Sequence, residues 1–338
     1  MDKKQIKTNA LFFSDSILFT NAMTFLSVTV VIPYFLSGLG ASTFEISLAI
    51  ALPSIGTFIT QPVFARKAMS LNRMVGTFCK LLIIQRVIFL AFIFSLPLFK
   101  SADPRITIIL FLICWGVFNL FTGCYIPFHT SIFSKMVPPS QRGRILGYGG
   151  ATANLIALAS SYAVSVLLKN LAYPMNYTLI FFAGNILLFG NVYALSRLDE
   201  PSDEKPAEVM NYFKYAAMFK EILTRDRKFT LMVTAYSFIS ISVISLSFYT
   251  VYAVRNNQMG ANAVGLFSAI TVAAVTLGNL LFGTMGDRYG HRAVLQASAV
   301  CGMAASAAVI GVTGIQGVYI SIVLSNLCYI GFGKSNRV

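Results

Sequence analysis

Two charged residues stand inside long apolar runs of this sequence. Asp15 lies one to two turns into the first run, and Arg86 lies near the middle of the third. A charge in hydrocarbon is costly, so each needs a partner, a water-filled cavity or a functional purpose. Asp15 fits a carboxylate that exchanges a coupling proton, and equally a structural carboxylate near the headgroups. Arg86 fits a pair inside a helical bundle or a side chain that snorkels to the interface. Glu45, at the start of the second run, reads as a solvated acid near the membrane surface, and His129 as a polar cap near the end of the fourth run.

Enzyme, cofactor and metal chemistry find little support. Gly333-Lys334-Ser335 has the ending of a phosphate-binding loop, but Cys328 occupies the place of its first glycine. The two histidines, His129 and His291, are far apart and form no metal-ligand spacing. Cys79, Cys114, Cys124, Cys301 and Cys328 are scattered singly through apolar runs and read as small core residues. Neither a nucleophile elbow nor a kinase signature occurs. No enzyme activity, cofactor or metal is expected.

The elements that carry these residues follow from composition. The chain is 56% hydrophobic and 11% charged, with a mean hydropathy of +0.72, whereas soluble domains carry about a quarter charged residues. Its apolar residues come in runs of roughly 20, the thickness of a bilayer. Only helices and closed barrels satisfy their backbone in hydrocarbon. These runs are too long and continuous for barrel strands. The expected fold is therefore an all-α polytopic membrane protein. The spans read approximately as 10–36, 43–64, 74–98, 105–128, 145–168, 174–196, 229–253, 262–284, 293–312 and 315–333. The first is too long for a signal peptide, and Pro33-Tyr34 stands where a cleavage site would be needed.

Charge sets the expected orientation. Of the 26 Lys and Arg, only Lys100, Arg105, Lys169 and Arg255 fall in connections on one side, and Arg86 lies within a span. The rest fall on the other side, which the positive-inside rule makes cytoplasmic together with the N-terminus. The net charge of +14 is thus a topology signal and not a nucleic-acid footprint. A multi-pass protein of the plasma (inner) membrane is expected.

The longest connection divides the chain into an N-terminal bundle of six spans (1–198), a linker (199–228) and four further spans (229–338). The linker opens with an acidic, proline-containing stretch, Asp199 to Pro206. An amphipathic helix is expected next, with Val209, Tyr212, Phe213, Ala216, Phe219 and Leu223 on its apolar side. Lys214, Lys220 and Glu221 lie off that face, so it would rest on the cytoplasmic membrane surface as a tether between bundles.

The two parts share a weak repeat. Leu39-Gly40-Ala41 aligns with Met259-Gly260-Ala261, Ser47-Leu48 with Gly265-Leu266, Phe64-Ala65 with Phe282-Gly283, and Asn72-Arg73 with Gly290-His291. In the second copy the string is Gly283-Thr-Met-Gly286-Asp287-Arg288-Tyr-Gly290-His291-Arg292. It resembles the signature loop G-x-x-x-D-R/K-x-G-R/K-R/K of the major facilitator superfamily. Gly283 suits close helix packing and Gly290 a turn with positive φ. Asp287 suits an acceptor of hydrogen bonds from an adjacent helix N-terminus, and Arg288 and Arg292 supply donors and cytoplasmic charge. After the fourth span, Arg142-Gly143-Arg144-Ile-Leu-Gly147 resembles a second stretch common in the superfamily.

Two departures stand out. The first-half loop carries Ala65, Met69 and Ser70 where the signature has Gly, Asp and Arg, and Asn72 replaces the turn glycine. Its clamp is expected to be weakened or built from other residues. The superfamily has twelve spans, six plus six, so the resemblance implies a chain truncated by two helices.

The resemblance further implies that the first and fourth helices of each half line a central cavity. That points to Asn21 and Thr24, to Trp115, Asn119 and Thr122, to Ser245 and Tyr249, and to Asn326 as substrate-facing residues. Asp15 and Arg86 become candidates for ion coupling. Arg142, Gly143, Arg144, Gly283, Asp287, Arg288, Gly290 and Arg292 become the cytoplasmic gate. The expected function is secondary active or facilitative transport of a small solute by alternating access, with a proton or another ion as possible coupling partner. The alternative is a transporter-fold sensor or interaction protein without transport activity.

Overall fold

The computed structural model describes residues 3–100, 103–202, 261–312 and 314–335, with scattered positions between 217 and 252. The chain divides into two compact units. One comprises Met1–Ala207 with Met259–Ala269, the other Glu208–Gln258 with Ile270–Val338. Seven helical stretches among the described residues are long and apolar enough to cross a membrane, and a shorter apolar helix covers Ile315–Gly331. The seventh expected span, the linker helix and Ser245 lie almost wholly outside the described residues.

The first unit holds α1 (Lys3–Phe25), α2 (Val31–Gly38), α3 (Thr43–Met69), α4 (Val75–Ser95), α5 (Pro104–Thr122), α6 (Tyr125–Met136), α7 (Pro139–Asn170) and α8 (Met175–Ser196). Helix α1 packs against α7 and α8, α3 against α5, and α4 against both α5 and α8. The helix starts follow local chemistry. Ser42 caps α3 in a full capping box with Glu45. Asp103 caps α5, whose first residue is Pro104. Arg105 reaches the Glu45 carboxylate at 2.9 Å, so Glu45 joins two helix starts instead of standing free in solvent.

Two expected spans are broken. The first ends at Phe25 and resumes at Val31, and the fourth ends at Thr122 and resumes at Tyr125. Each break has a proline just inside the resumed helix, Pro33 and Pro127. Proline offers no N–H to the carbonyl four residues earlier and its ring crowds that carbonyl. The first break is closed locally by Ser27, whose Oγ accepts from the Val30 amide at 3.2 Å. Helix α6 then runs on to Met136, so His129 sits near its middle and not near a helix end.

The core has an apolar and a polar part. Phe35, Phe89, Phe92, Phe111, Trp115, Phe118 and Phe181 form a chain of ring contacts, for example Trp115 stacked on Phe118 at 5.1 Å and Phe35 edge-on to Phe181 at 5.3 Å. Such pairs contribute about 0.5–1.5 kcal/mol each beyond their buried area. The polar part is described below.

The α3–α4 connection is secured by a residue from beyond α8. Glu200, 5% exposed, accepts the backbone amides of Met74 and Val75 at 2.6 and 2.8 Å. Its other oxygen meets Lys135 at 3.2 Å, and Lys135 also donates to the Asn72 carbonyl. A carboxylate thus sits on the α4 N-terminus, where partial positive charge favours it. The signature aspartate is missing from this loop, and Glu200 supplies the acid from elsewhere. Glu200→Ala is expected to cost about 2–3 kcal/mol, the worth of charge-assisted bonds left unmade. An unchanged apparent melting temperature in detergent would remove Glu200 as a clamp. Beside it, Lys4 lies 2.9 Å from Asp199 and holds that carboxyl below its ordinary range. This exposed tie acts above the usual carboxylate range and is lost as pH falls through the lowered value.

Helix α9 (Ala261–Tyr289) leads to α10 (His291–Gly311) and α11 (Ile315–Ser335), the last two lying in the second unit and packed closely together. Gly290 joins α9 to α10 with φ 80° and ψ 165°, a backbone region open in practice only to glycine. The expected positive-φ turn is present. An added Cβ would meet nothing within 4 Å, so Gly290→Ala tests the backbone alone. About 1–3 kcal/mol of destabilisation is expected, read as a lower melting temperature than for Gly143→Ala, where φ is not positive and space is also open.

Candidate functional site

Helices α1, α4, α6 and α8 enclose a buried polar cluster. Asp15 on α1 is 2% exposed and Arg86 on α4 is 1% exposed. They communicate through Asn191 on α8. Asn191 Nδ2 donates to Asp15 Oδ1 at 2.5 Å, while Asn191 Oδ1 accepts from Arg86 Nη2 at 3.5 Å. Tyr125 donates to Asp15 Oδ1 at 3.2 Å, and His129 Nε2 lies 2.9 Å from Asp15 Oδ2. Asp15 therefore meets partners from two other helices across its two oxygens. Arg86 is buried and hydrogen-bonded within the bundle, and it does not snorkel.

The cluster extends towards α5. Arg86 Nη1 donates to Gln85 Oε1 and to the Leu82 carbonyl. Gln85 Nε2 in turn reaches the Phe118 carbonyl at 2.7 Å and Thr122 Oγ1 at 2.8 Å. Asn185 donates to the Arg86 carbonyl at 3.2 Å. Arg86 Nε and Asn185 Oδ1 find no partner among the described residues. A buried network with spare polar atoms stores unused hydrogen-bonding capacity. Of the expected site residues, this network unites Asp15, Arg86 and Thr122. Asn191, Tyr125, Gln85 and Asn185 were not singled out from sequence, although neutral amides inside apolar spans were the available signal.

The other expected cavity residues lie between helices. Asn21 donates to the Ile17 and Ala153 carbonyls and accepts from Ser160 at 2.7 Å, joining α1 to α7. Thr24 donates to the Thr20 carbonyl. Trp115 Nε1 donates to the Ala49 carbonyl at 3.0 Å, joining α5 to α3, and Asn119 donates to the Trp115 carbonyl. In the second unit, Ser325 donates to the Tyr249 hydroxyl at 3.4 Å, and Asn326 to the Ile322 carbonyl at 2.8 Å. Tyr249 and Asn326 are both buried.

The expected gate residues fall at helix ends. Arg142 donates to the Val137 and Ser134 carbonyls at 3.0 and 2.6 Å and so caps the end of α6. Gly143 and Arg144 lie on the first turns of α7, and Arg288 and Arg292 stand on either side of Gly290. Gly283 and Asp287 fall within α9, and the Asp287 side chain lies outside the described residues.

Comparison with known proteins places this helical arrangement. A family profile described as Major Facilitator Superfamily matches residues 16–335. No curated protein matches significantly. Among solved structures, the nucleoside transporter NupG is 13% identical, with a TM-score of 0.65 over 99% of this chain and 81% of that one. A bacterial homologue of the iron transporter ferroportin, in its inward-facing state, is 15% identical, with a TM-score of 0.66 over 99% and 83%. A bacterial homologue of the human lysosomal transporter Spinster, inward-facing and unoccupied, is 16% identical, with a TM-score of 0.65 over 99% and 75%. At these identities the likeness is one of fold. The profile match spans nearly the whole sequence, and with the apolar helices it makes this chain a membrane transport protein that belongs to the Major Facilitator Superfamily.

Proposed function

We propose that the protein moves a small uncharged or amphipathic solute across the plasma (inner) membrane by alternating access. Residues 1–198 and 229–338 form the two bundles, joined by the linker 199–228. The N-terminus and the basic connections face the cytoplasm, as the Lys and Arg distribution supports. The substrate-facing residues are assigned to Asn21, Thr24, Trp115, Asn119 and Thr122 in the first unit and to Ser245, Tyr249 and Asn326 in the second. Their neutral amides, hydroxyls and rings suit solutes without charge. Arg142, Gly143, Arg144, Gly283, Asp287, Arg288, Gly290 and Arg292 close the cytoplasmic side. The observation that carries the reading is the Asp15–Asn191–Arg86 connection, a buried charge couple spanning three helices. Buried membrane charges of this kind mark ion or proton pathways, and we assign Asp15 and Arg86 to coupling.

The test is uptake into proteoliposomes against a panel of labelled nucleosides, sugars and amphipathic amines. Saturable uptake of at least one compound, absent from protein-free vesicles, is the expected result. Saturable binding with no flux would overturn transport in favour of a sensor.

A further inference from the structure

We propose that His129 is a proton-binding side chain, held by Asp15 as a fixed anion and by an aromatic cage. Its use in coupling rests on the transport reading above, whereas the proton site can be measured without transport.

The geometry divides the labour around Asp15. Oδ1 already accepts from Asn191 and Tyr125. Oδ2 faces His129 Nε2 at 2.9 Å. Arg86 carries the balancing positive charge behind Asn191. With a neutral imidazole the fixed charges cancel, and a protonated imidazole leaves the cluster with one positive charge. The surroundings of the ring are built to accept that charge. Tyr125 stacks on it at 5.0 Å and 11°, Phe133 at 6.2 Å and 8°, and Phe12 stands at 89° to it at 5.8 Å. Aromatic faces attract a cation held against them.

The imidazole is also the less enclosed of the two, with its side chain 17% exposed against 3% for Asp15. Besides Asp15 and His129, the titratable groups that this cluster gathers around Arg86 are Cys79 of α4, Tyr125 of α6 and Cys124 at the α5–α6 break. Helix α8 contributes the neutral Asn191. Within this set imidazole is the side chain whose charge ordinarily changes between about pH 5 and 8. Nε2–H is engaged by Asp15 Oδ2, so the second proton is taken up at Nδ1 and leaves by the same atom. Loading turns a hydrogen bond with one ionised partner into an ion pair, which tightens α6 against α1. Release loosens it. Asp15 and Arg86 then serve coupling by holding the charges against which His129 exchanges its proton.

The experiment uses protein with 15N-labelled histidine in lipid nanodiscs, with spectra recorded between about pH 5 and 8. The chain has two histidines, so the signal lost in His129→Gln is that of His129. Its ring is expected to pass from the neutral Nε2–H tautomer to the doubly protonated form, with Nε2 hydrogen-bonded throughout. In Asp15→Asn the signature of a charged acceptor at Nε2 should disappear. This variant retains His129 and so keeps the test valid even if His129→Gln disturbs packing. Ring nitrogens that do not change over that range, or a neutral tautomer with its proton on Nδ1, would overturn the proposal. In proteoliposomes, His129→Gln is expected to abolish the pH dependence of initial uptake. Uptake with the same pH dependence in both proteins would overturn the coupling role and leave transport intact. A titrating His129 in a protein that moves no solute would support the proton site and remove the transport reading.

Discussion

Asp15→Ala is expected to destabilise the first unit by about 3–5 kcal/mol, the cost of leaving one member of a buried charge couple uncompensated. The physical reason is Arg86, which is 1% exposed. Among the described residues, its route to a carboxylate runs through Asn191. Removing the carboxylate also strips an acceptor from Tyr125, Asn191 and His129 at once. The effect is better resolved with changes that remove charge and keep a polar side chain. Asp15→Asn and Arg86→Gln should each lower the apparent melting temperature strongly, whereas the double variant should lose less than the sum. Groups in one network show interaction energies of about 0.5–3 kcal/mol in such a cycle. Strictly additive losses would mean that the two charges do not feel each other, and the assignment of a coupled cluster would fall.

A second large effect is expected at Gly56, in the middle of α3. A Cβ built there would lie 2.5 Å from the Asn119 carbonyl oxygen, 2.6 Å from its carbon and 2.9 Å from the Leu120 nitrogen. All three are backbone atoms of α5, so no side chain can swing away. The approach is held by Thr60, whose hydroxyl donates to the Leu120 carbonyl at 2.7 Å, and by Trp115, which donates to the Ala49 carbonyl. Gly56→Ala should therefore cost about 1–3 kcal/mol through overpacking, and Gly56→Val more. Trp115 is the single tryptophan of the chain, so its emission reports directly on the α3–α5 seam and should shift to the red. Gly76→Ala in α4 is the control, because an added Cβ there meets nothing within 4 Å. Equal melting temperatures and emission for the Gly56 and Gly76 variants would contradict the tight seam.

Local features explain how far the sequence could be read. The apolar runs, the Lys and Arg asymmetry and the Gly283–Arg292 string each depend on residues close together in the chain, and they were enough to indicate a facilitator-type membrane protein. Gly290 belongs here too, since a positive φ is a property of one residue and its neighbours. The breaks after Phe25 and Thr122 were visible as Pro33 and Pro127, but hydrophobicity runs straight through both, and span reading follows hydrophobicity.

What the tertiary structure decided is which polar groups meet. Asp15 and Asn191 are 176 residues apart and touch at 2.5 Å. Glu200 reaches back 126 residues to cap α4. Polar residues in apolar spans look alike in a linear chain, and Asn21 and Asn191 differ only in the helix that faces them. Asp15 illustrates the division. Its type and depth marked it as a residue needing a partner, because a lone charge in hydrocarbon is costly. That the partner includes His129 followed only once α6 continued past its break and turned the imidazole towards α1.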